Sequence, residues 1–235
     1  MPADLSDKLR RFNDGLSAAE KANFKLILGL AAGGLAPNFA KPVDRANASA
    51  FYIVSDTLAR LQPYSKRISP NGIAYRGTPT FITPIILREL QDEARSLRPS
   101  ARRFEEHFLG CGAPIANRLA ISAELTSFVT KYAGEVRPTG IASFLYYDDV
   151  GQGIDPHIDT DIFSVNVLLM LEHECAGQGR SALVVLPPHG DRERLELIPG
   201  EVVIMFAGSI THGRERIKPG ERVSILTFGF QPLGI

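Results

Sequence analysis

The chain has 235 residues, 26 basic and 26 acidic side chains for a formal net charge of zero, and 44% hydrophobic residues. That length suits one domain with a sizeable core, and the balanced charge gives no electrostatic reason to expect nucleic acid or an anionic membrane as partner. Two cysteines, Cys111 and Cys175, with no Cys-x-x-Cys pair, argue against a thiolate zinc site and fit a reducing compartment.

Met1 to Arg11 is polar and charged and lacks the apolar centre of a secretory signal. The longest apolar run, Leu26 to Pro37, is glycine-broken and too short to span a bilayer. A cytoplasmic protein is expected. Asp4 to Gly15 reads as a short helix. Ser17-Ala18-Ala19-Glu20 has the Ser-x-x-Glu form of a capping box, opening a helix to about Leu30 that Gly33-Gly34 and Pro37 close. Periodicity leaves Phe51 to Leu61 open between helix and a mixed segment. Ile73 to Tyr75 and Thr80 to Thr83 are β-like. Pro84 opens a helix to about Leu97. Arg103 to Leu109 is read as a further helix, and Ile115 to Lys131 has apolar residues at helical spacing, suited to packing on a sheet.

From Arg137 the pattern changes to short apolar runs separated by Gly and Pro: Ile141 to Tyr147, Phe163 to Leu171, Ala182 to Leu186, Leu195 to Ile198, Val202 to Phe206, Ile210 to Ile217 and Arg222 to Phe230. Many short strands of this kind predict a sandwich or barrel. One domain over 1–235 is expected: residues 1–136 supply mainly helical support and the first strands, and 137–235 form the β core. The turn at Lys218 to Glu221 predicts that Ile210–Ile217 and Arg222–Phe230 form a hairpin.

Within this region stands His157-Ile158-Asp159, with His212 later and Arg222-Val223-Ser224 beyond it. Alternation along a strand lets His157 and Asp159 point to one face. Two imidazoles and one carboxylate with other coordination positions open suit a non-haem Fe(II) oxygenase. The plainer reading of a lone histidine near a strand end is a hydrogen-bonded structural residue; the order of His157, Asp159, His212 and Arg222 along successive strands weighs against it. In the predicted hairpin, His212 and Arg222 are offset by about 16 Å along the strand. That gap takes an imidazole, a metal, an extended dicarboxylate and a guanidinium end to end. Arg222 can grip a carboxylate through two hydrogen bonds, and Ser224 shares its face.

At these residues the chain resembles the Fe(II)/2-oxoglutarate-dependent oxygenase superfamily, in its prolyl-4-hydroxylase-like branch. The match runs from about Ile141 to Phe230. It rests on Tyr146-Tyr147, Pro156-His157-Ile158-Asp159, Pro199-Gly200-Glu201 before Phe206 and His212, and Gly220-Glu221-Arg222-Val223-Ser224. The resemblance implies a mainly β double-stranded β-helix (jelly-roll, cupin-like) with N-terminal helices. It implies Fe(II) held by His157, Asp159 and His212. It implies 2-oxoglutarate on that iron with its far carboxylate on Arg222 and Ser224, joined by Tyr147 or alternatively Tyr146. O2 then converts the keto acid to succinate and CO2 while a substrate is hydroxylated. Two departures stand out: Gly177-Gln178-Gly179 replaces a Gly-Gly pair, and Ile154 replaces a tyrosine three positions before the first ligand, which speaks against peptidyl-proline as substrate.

Arg76, Asn166 and Arg214 are candidates to line a substrate site, with Arg216 a further cation near His212. His107, His173 and His189 read as surface or loop histidines, Arg192 and Arg194 as solvated charges, and Gly151-Gln152-Gly153 as a turn. The expected function is a dioxygenase hydroxylating a small molecule, an amino acid or natural-product intermediate. The alternatives are a non-catalytic cupin-like metal or sensor module, and an oxidase of the same fold that needs no 2-oxoglutarate, against which Arg222 argues.

Overall fold

The computed structural model describes residues 2–37, 45–61, 69, 71–177, 179–189 and 191–233. The core is two facing antiparallel sheets. One has the order β1 (Ile73–Gly77), β9 (Val202–Met205), β6 (Val165–Cys175), β11 (Glu221–Pro232), β4 (Val136–Tyr147), β3 (His107–Cys111), β2 (Arg102–Phe104). The other has the order β5 (Ile154–His157), β10 (Thr211–Arg214), β7 (Leu183–Leu186), β8 (Glu193–Leu195). From β4 onward the chain passes repeatedly between the sheets, as a double-stranded β-helix requires.

Period-two alternation sorts the large sheet into two faces. Tyr147, Leu168, Met170, Val203, Met205, Val223 and Ile225 point inward and meet Leu183, Val185 and Leu195 of the small sheet. Phe144, Tyr146, Val167, Leu169, Ile204, Leu226, Phe228 and Phe230 point outward, under α4 (Pro84–Leu97), α5 (Pro114–Ala120) and α6 (Ala123–Ala133). Each such side chain contributes about 1.5–3 kcal/mol by leaving water. Phe51 of α3 (Arg45–Arg60) packs on Val184 and Leu186, covering the outer face of the small sheet.

The N-terminal helices α1 (Pro2–Asp14) and α2 (Ala18–Leu35) form as expected, and Ser17 and Glu20 make the reciprocal capping box. α2 does not stop near Leu30. It runs through Gly33 and Gly34, because glycine there serves packing: a Cβ on Gly33 would lie 3.0 Å from the Pro156 carbonyl oxygen of β5. Phe51 to Leu61 resolves as helix up to Arg60. Thr80 to Thr83 forms no strand, and Thr83 caps α4 by accepting from the Ile86 amide.

Three expectations are corrected. Arg103 to Leu109 is the β2–β3 hairpin, turning at Glu105 with φ of 50°. Ile115 to Lys131 is two helices, broken where Ser122 caps α6 through the Leu125 amide. β10 and β11 are not a hairpin: β10 pairs with β5 and β7, and β11 with β4 and β6. The turn at 218–221 carries the chain from one sheet to the other, since Ile217 and Val223 both bury in the space between them. Gln178, in one of the two departures, lies outside the described residues. Among the described residues, no helix is long and apolar enough to cross a membrane.

Candidate metal centre

β5 and β10 place His157 directly opposite His212 in register, so both side chains emerge on the same face, with ring centroids 4.4 Å apart. β5 ends at His157. Asp159 follows in an extended segment that its amide pins to the Ala207 carbonyl at 2.9 Å. Asp159 Oδ1 lies 3.2 Å from His157 Nε2 and 3.6 Å from His212 Nε2, and the three ligand atoms fall within 4.8 Å of one another.

The surroundings aim these atoms. His157 Nδ1 lies 2.9 Å from the Asp155 carbonyl and His212 Nδ1 3.0 Å from the Ile210 carbonyl. A carbonyl only accepts, so each Nδ1 carries a proton and each Nε2 points inward, where it donates its proton to Asp159 or, once that proton is lost, offers its lone pair to a metal. Asn166 Nδ2 donates to Asp159 Oδ2 at 2.8 Å and leaves Oδ1 for the centre. Burial pushes the Asp159 carboxyl up, but the facing charge of His212 and hydrogen bonds from both histidines outweigh it and hold the group well below the usual carboxylate range. Burial likewise opposes charge on His157, and Asp159 more than restores it. A carboxylate that stays ionised beside two oriented imidazoles is a donor set that fits a divalent first-row metal. The side chain of His157 is 36% exposed against 14% for Asp159 and 6% for His212, so the centre opens toward His157. α2 borders that side, with Gly33 against Pro156 and Gly29 against Ile158.

The remaining candidate residues divide by sheet face. Tyr147 is inside, fully buried among the residues between the sheets. Arg214 is also inside, two residues beyond His212 on the same face of β10. It is 3% exposed, with its guanidinium 5.2 Å over the Tyr147 ring and Nη2 donating to Ser181 Oγ at 3.0 Å. Asn166, a candidate to line a substrate site, has its amide on Asp159. Arg222 and Ser224 do not meet the triad. Arg222 points outward beside Arg98, Asp148 and Glu172, 58% exposed, with Nε 3.6 Å from Asp148, and Ser224 faces Glu172 at 3.4 Å. The cause is the corrected topology: on β11 the inward positions belong to Val223 and Ile225. Tyr146 shares that outer face; its hydroxyl donates to the Ala94 carbonyl, and burial pushes its pKa up to about 12. Arg76 is remote, on edge strand β1, bonded to Glu196 and Glu201. Arg216 pairs with Asp155, and Arg194 with Glu215.

Two histidines depart from the surface assignment. His107 is 3% exposed and stacked on Tyr147 at 5.5 Å; burial first, and the charge of His157 second, push its pKa down to about 4, so it is neutral at pH 7. Reading Arg103 to Leu109 as a helix hid its position: in the β2–β3 hairpin it stands one residue from Phe108 of the outer face. His173 is buried against Glu221 at 2.8 Å. His189 is exposed, as expected, and bonds Asp56.

Comparisons with known proteins bear on the fold. No family model matches the chain, and no curated protein matches it. Solved structures do. The epimerase SnoN, in complex with Fe3+, alpha ketoglutarate and nogalamycin RO, superposes with a TM-score of 0.59 at 15% identity, covering 74% of this chain and 83% of that one. A Pseudomonas putida prolyl-4-hydroxylase gives 0.53 at 17% identity over 77% of this chain and 99% of that one. HygX from Streptomyces hygroscopicus, with nickel, 2-oxoglutarate and hygromycin B bound, gives 0.54 at 12% over 69% and 84%. The chain therefore has the double-stranded β-helix fold seen in 2-oxoglutarate- and Fe(II)-dependent oxygenases.

Proposed function

We propose that the protein is an Fe(II)- and 2-oxoglutarate-dependent dioxygenase that hydroxylates a small molecule, an amino acid or natural-product intermediate, with release of succinate and CO2. The observation that carries this reading is the preorganised set of His157, Asp159 and His212, each oriented by a further hydrogen bond. The fold comparison supports it. Bound Fe(II) would supply the means of activating O2 with the keto acid. The chain's own part is to keep both imidazoles in the metal-binding tautomer, hold Asp159 ionised, and leave positions open beside three protein ligands. The apolar walls formed by Met170, Val185, Met205 and Val223 keep bulk water from the interior.

The test is anaerobic Fe(II) titration of the metal-free protein, followed by O2-dependent conversion of 2-oxoglutarate to succinate across a panel of small amino acids and secondary metabolites. Tight Fe(II) binding with succinate formation supports the reading. Failure to bind Fe(II) sinks it. The outward orientation of Arg222 removes the reason for setting aside an oxidase that needs no 2-oxoglutarate. That second reading wins if a substrate is oxidised at the same rate with and without the keto acid.

A further inference from the structure

On the dioxygenase reading, the far carboxylate of 2-oxoglutarate would be met by a cation near the triad, and the residue first expected to meet it faces away. Arg214 is a cation in that space. It lies on the same face of β10 as His212, two residues along, a separation of about 7 Å. That is within side-chain reach of a short dicarboxylate whose other end sits on a metal at His212, a more compact arrangement than the span of about 16 Å expected of the hairpin.

The state of Arg214 is the second observation. The side chain is buried, and no carboxylate of the described residues lies within ion-pair distance of it, although Glu221 and Glu215 act on its charge from farther off; its hydrogen bonds go to the Ser181 hydroxyl and carbonyl, and its Nε has no partner. A buried guanidinium left incompletely paired costs stability, and an arrangement of that kind is explained when an anion completes it. Around it, Tyr147 offers a ring face and a hydroxyl, and His107 stacks on that ring.

We propose that Arg214, assisted by Tyr147, receives the far carboxylate of 2-oxoglutarate, so that the anion anchor lies on the strand of the distal metal ligand rather than at Arg222. This rests on the dioxygenase reading. The experiment is calorimetric titration of nickel(II)-loaded protein with 2-oxoglutarate and with pyruvate, which keeps the keto acid end and lacks the far carboxylate. Wild type is expected to prefer 2-oxoglutarate. In Arg214→Gln the preference should fall by roughly two to three orders of magnitude, with pyruvate affinity and nickel binding retained. Arg214→Lys, holding charge without the fork, should lie between. Arg222→Gln should keep the wild-type ratio. Wild type without preference for 2-oxoglutarate overturns the dioxygenase reading itself. A wild-type preference that survives in Arg214→Gln, or collapses in Arg222→Gln, overturns this inference alone. Should the Arg214 variants not fold, a crystal structure of the nickel-loaded wild type with 2-oxoglutarate decides: the far carboxylate lies within hydrogen-bond distance of Arg214, or on another group, which refutes the assignment.

Discussion

The two faces of the large sheet carry matched sets of groups at adjacent positions. Inside are Tyr147, His107 and Asn166, facing Arg214 across the gap; outside are Tyr146, Arg222 and Ser224 with Arg98 and Glu172. Tyrosines one residue apart and arginines on successive strands are chemically alike and differ in surroundings. The outer arginine has carboxylates and solvent beside it. The inner one has an aromatic ring, a hydroxyl and no paired carboxylate among the described residues. Alternation with period two decides which of the two can face the proposed metal centre. The teaching of the pair is that residue type and spacing nominate a cation, while the face it occupies determines what it can bind.

The sharpest way to break the comparison is to remove the proposed inner ligands. His157→Ala and His212→Ala should each abolish succinate formation and weaken Fe(II) binding by at least about a hundredfold, measured by anaerobic titration, since each removes one of three donors. Full turnover by either variant at ordinary iron levels would remove that residue from the site. Asp159→Gly should keep the fold by circular dichroism and lose most turnover. One step outward, Asn166→Ala removes the donor that orients Asp159. It should weaken Fe(II) binding by about 10–100-fold while leaving the ligand set intact. Unchanged affinity would make Asn166 a plain core residue.

The sequence named His157, Asp159 and His212 together, and the structure brings them together; alternation along a strand places His157, whereas Asp159 lies past the end of β5, where alternation no longer applies. Asn166 stood out as a polar residue in an apolar run, but its partner lies seven residues away across a turn whose path sequence does not give. The β2–β3 hairpin escaped because Glu105-Glu106 carries none of the usual turn residues and Glu105 adopts positive φ without being glycine. Arg222 was misplaced for another reason. The turn at 218–221 was recognised, but whether two strands joined by a turn share a sheet depends on partners distant in the chain, here β5 and β7 for β10 and β4 and β6 for β11.

A smaller effect tests the rim of the interior. Glu221 is buried and accepts from the Ser181 and Lys218 amides, with His173 at 2.8 Å. Burial pushes its carboxyl up, but these partners, His173 foremost, bring it down to about 2 from 4.5. A depressed carboxyl stabilises the fold above its unfolded value and loses that contribution as pH falls through its folded value. Glu221→Gln should therefore cost roughly 2–4 kcal/mol in urea unfolding at pH 7. The difference from wild type should narrow between pH 4.5 and pH 2. A difference that stays constant across that window would mean that charge on Glu221 is not the source. On the outer face, Tyr146→Phe loses the hydroxyl bond to the Ala94 carbonyl and should cost about 1 kcal/mol, with 2-oxoglutarate affinity unchanged.

The smallest expected effect is at Arg222, and it bears most directly on the comparison. An extended β11 with Arg222 inward would make its removal cost tens to thousands of fold in 2-oxoglutarate affinity, the price of orphaning a buried carboxylate. The observed register reverses that expectation. Arg222 is 58% exposed, its Nε is 3.6 Å from Asp148, and Arg98 already pairs with the same carboxylate. An exposed ion pair at that distance contributes between zero and about 1 kcal/mol, and less in salt. Arg98 and Arg222 also repel each other, which offsets part of even that. Arg222→Ala should thus shift the unfolding free energy by less than about 0.5 kcal/mol and leave the saturation of succinate release by 2-oxoglutarate where it is in wild type. The decisive plot is succinate release against 2-oxoglutarate concentration for Arg222→Ala beside Arg214→Gln. Parallel curves for wild type and Arg222→Ala, with Arg214→Gln displaced to higher concentration, fix the anion on the inner face; a displaced Arg222→Ala curve would mean that β11 turns its arginine inward when the keto acid binds.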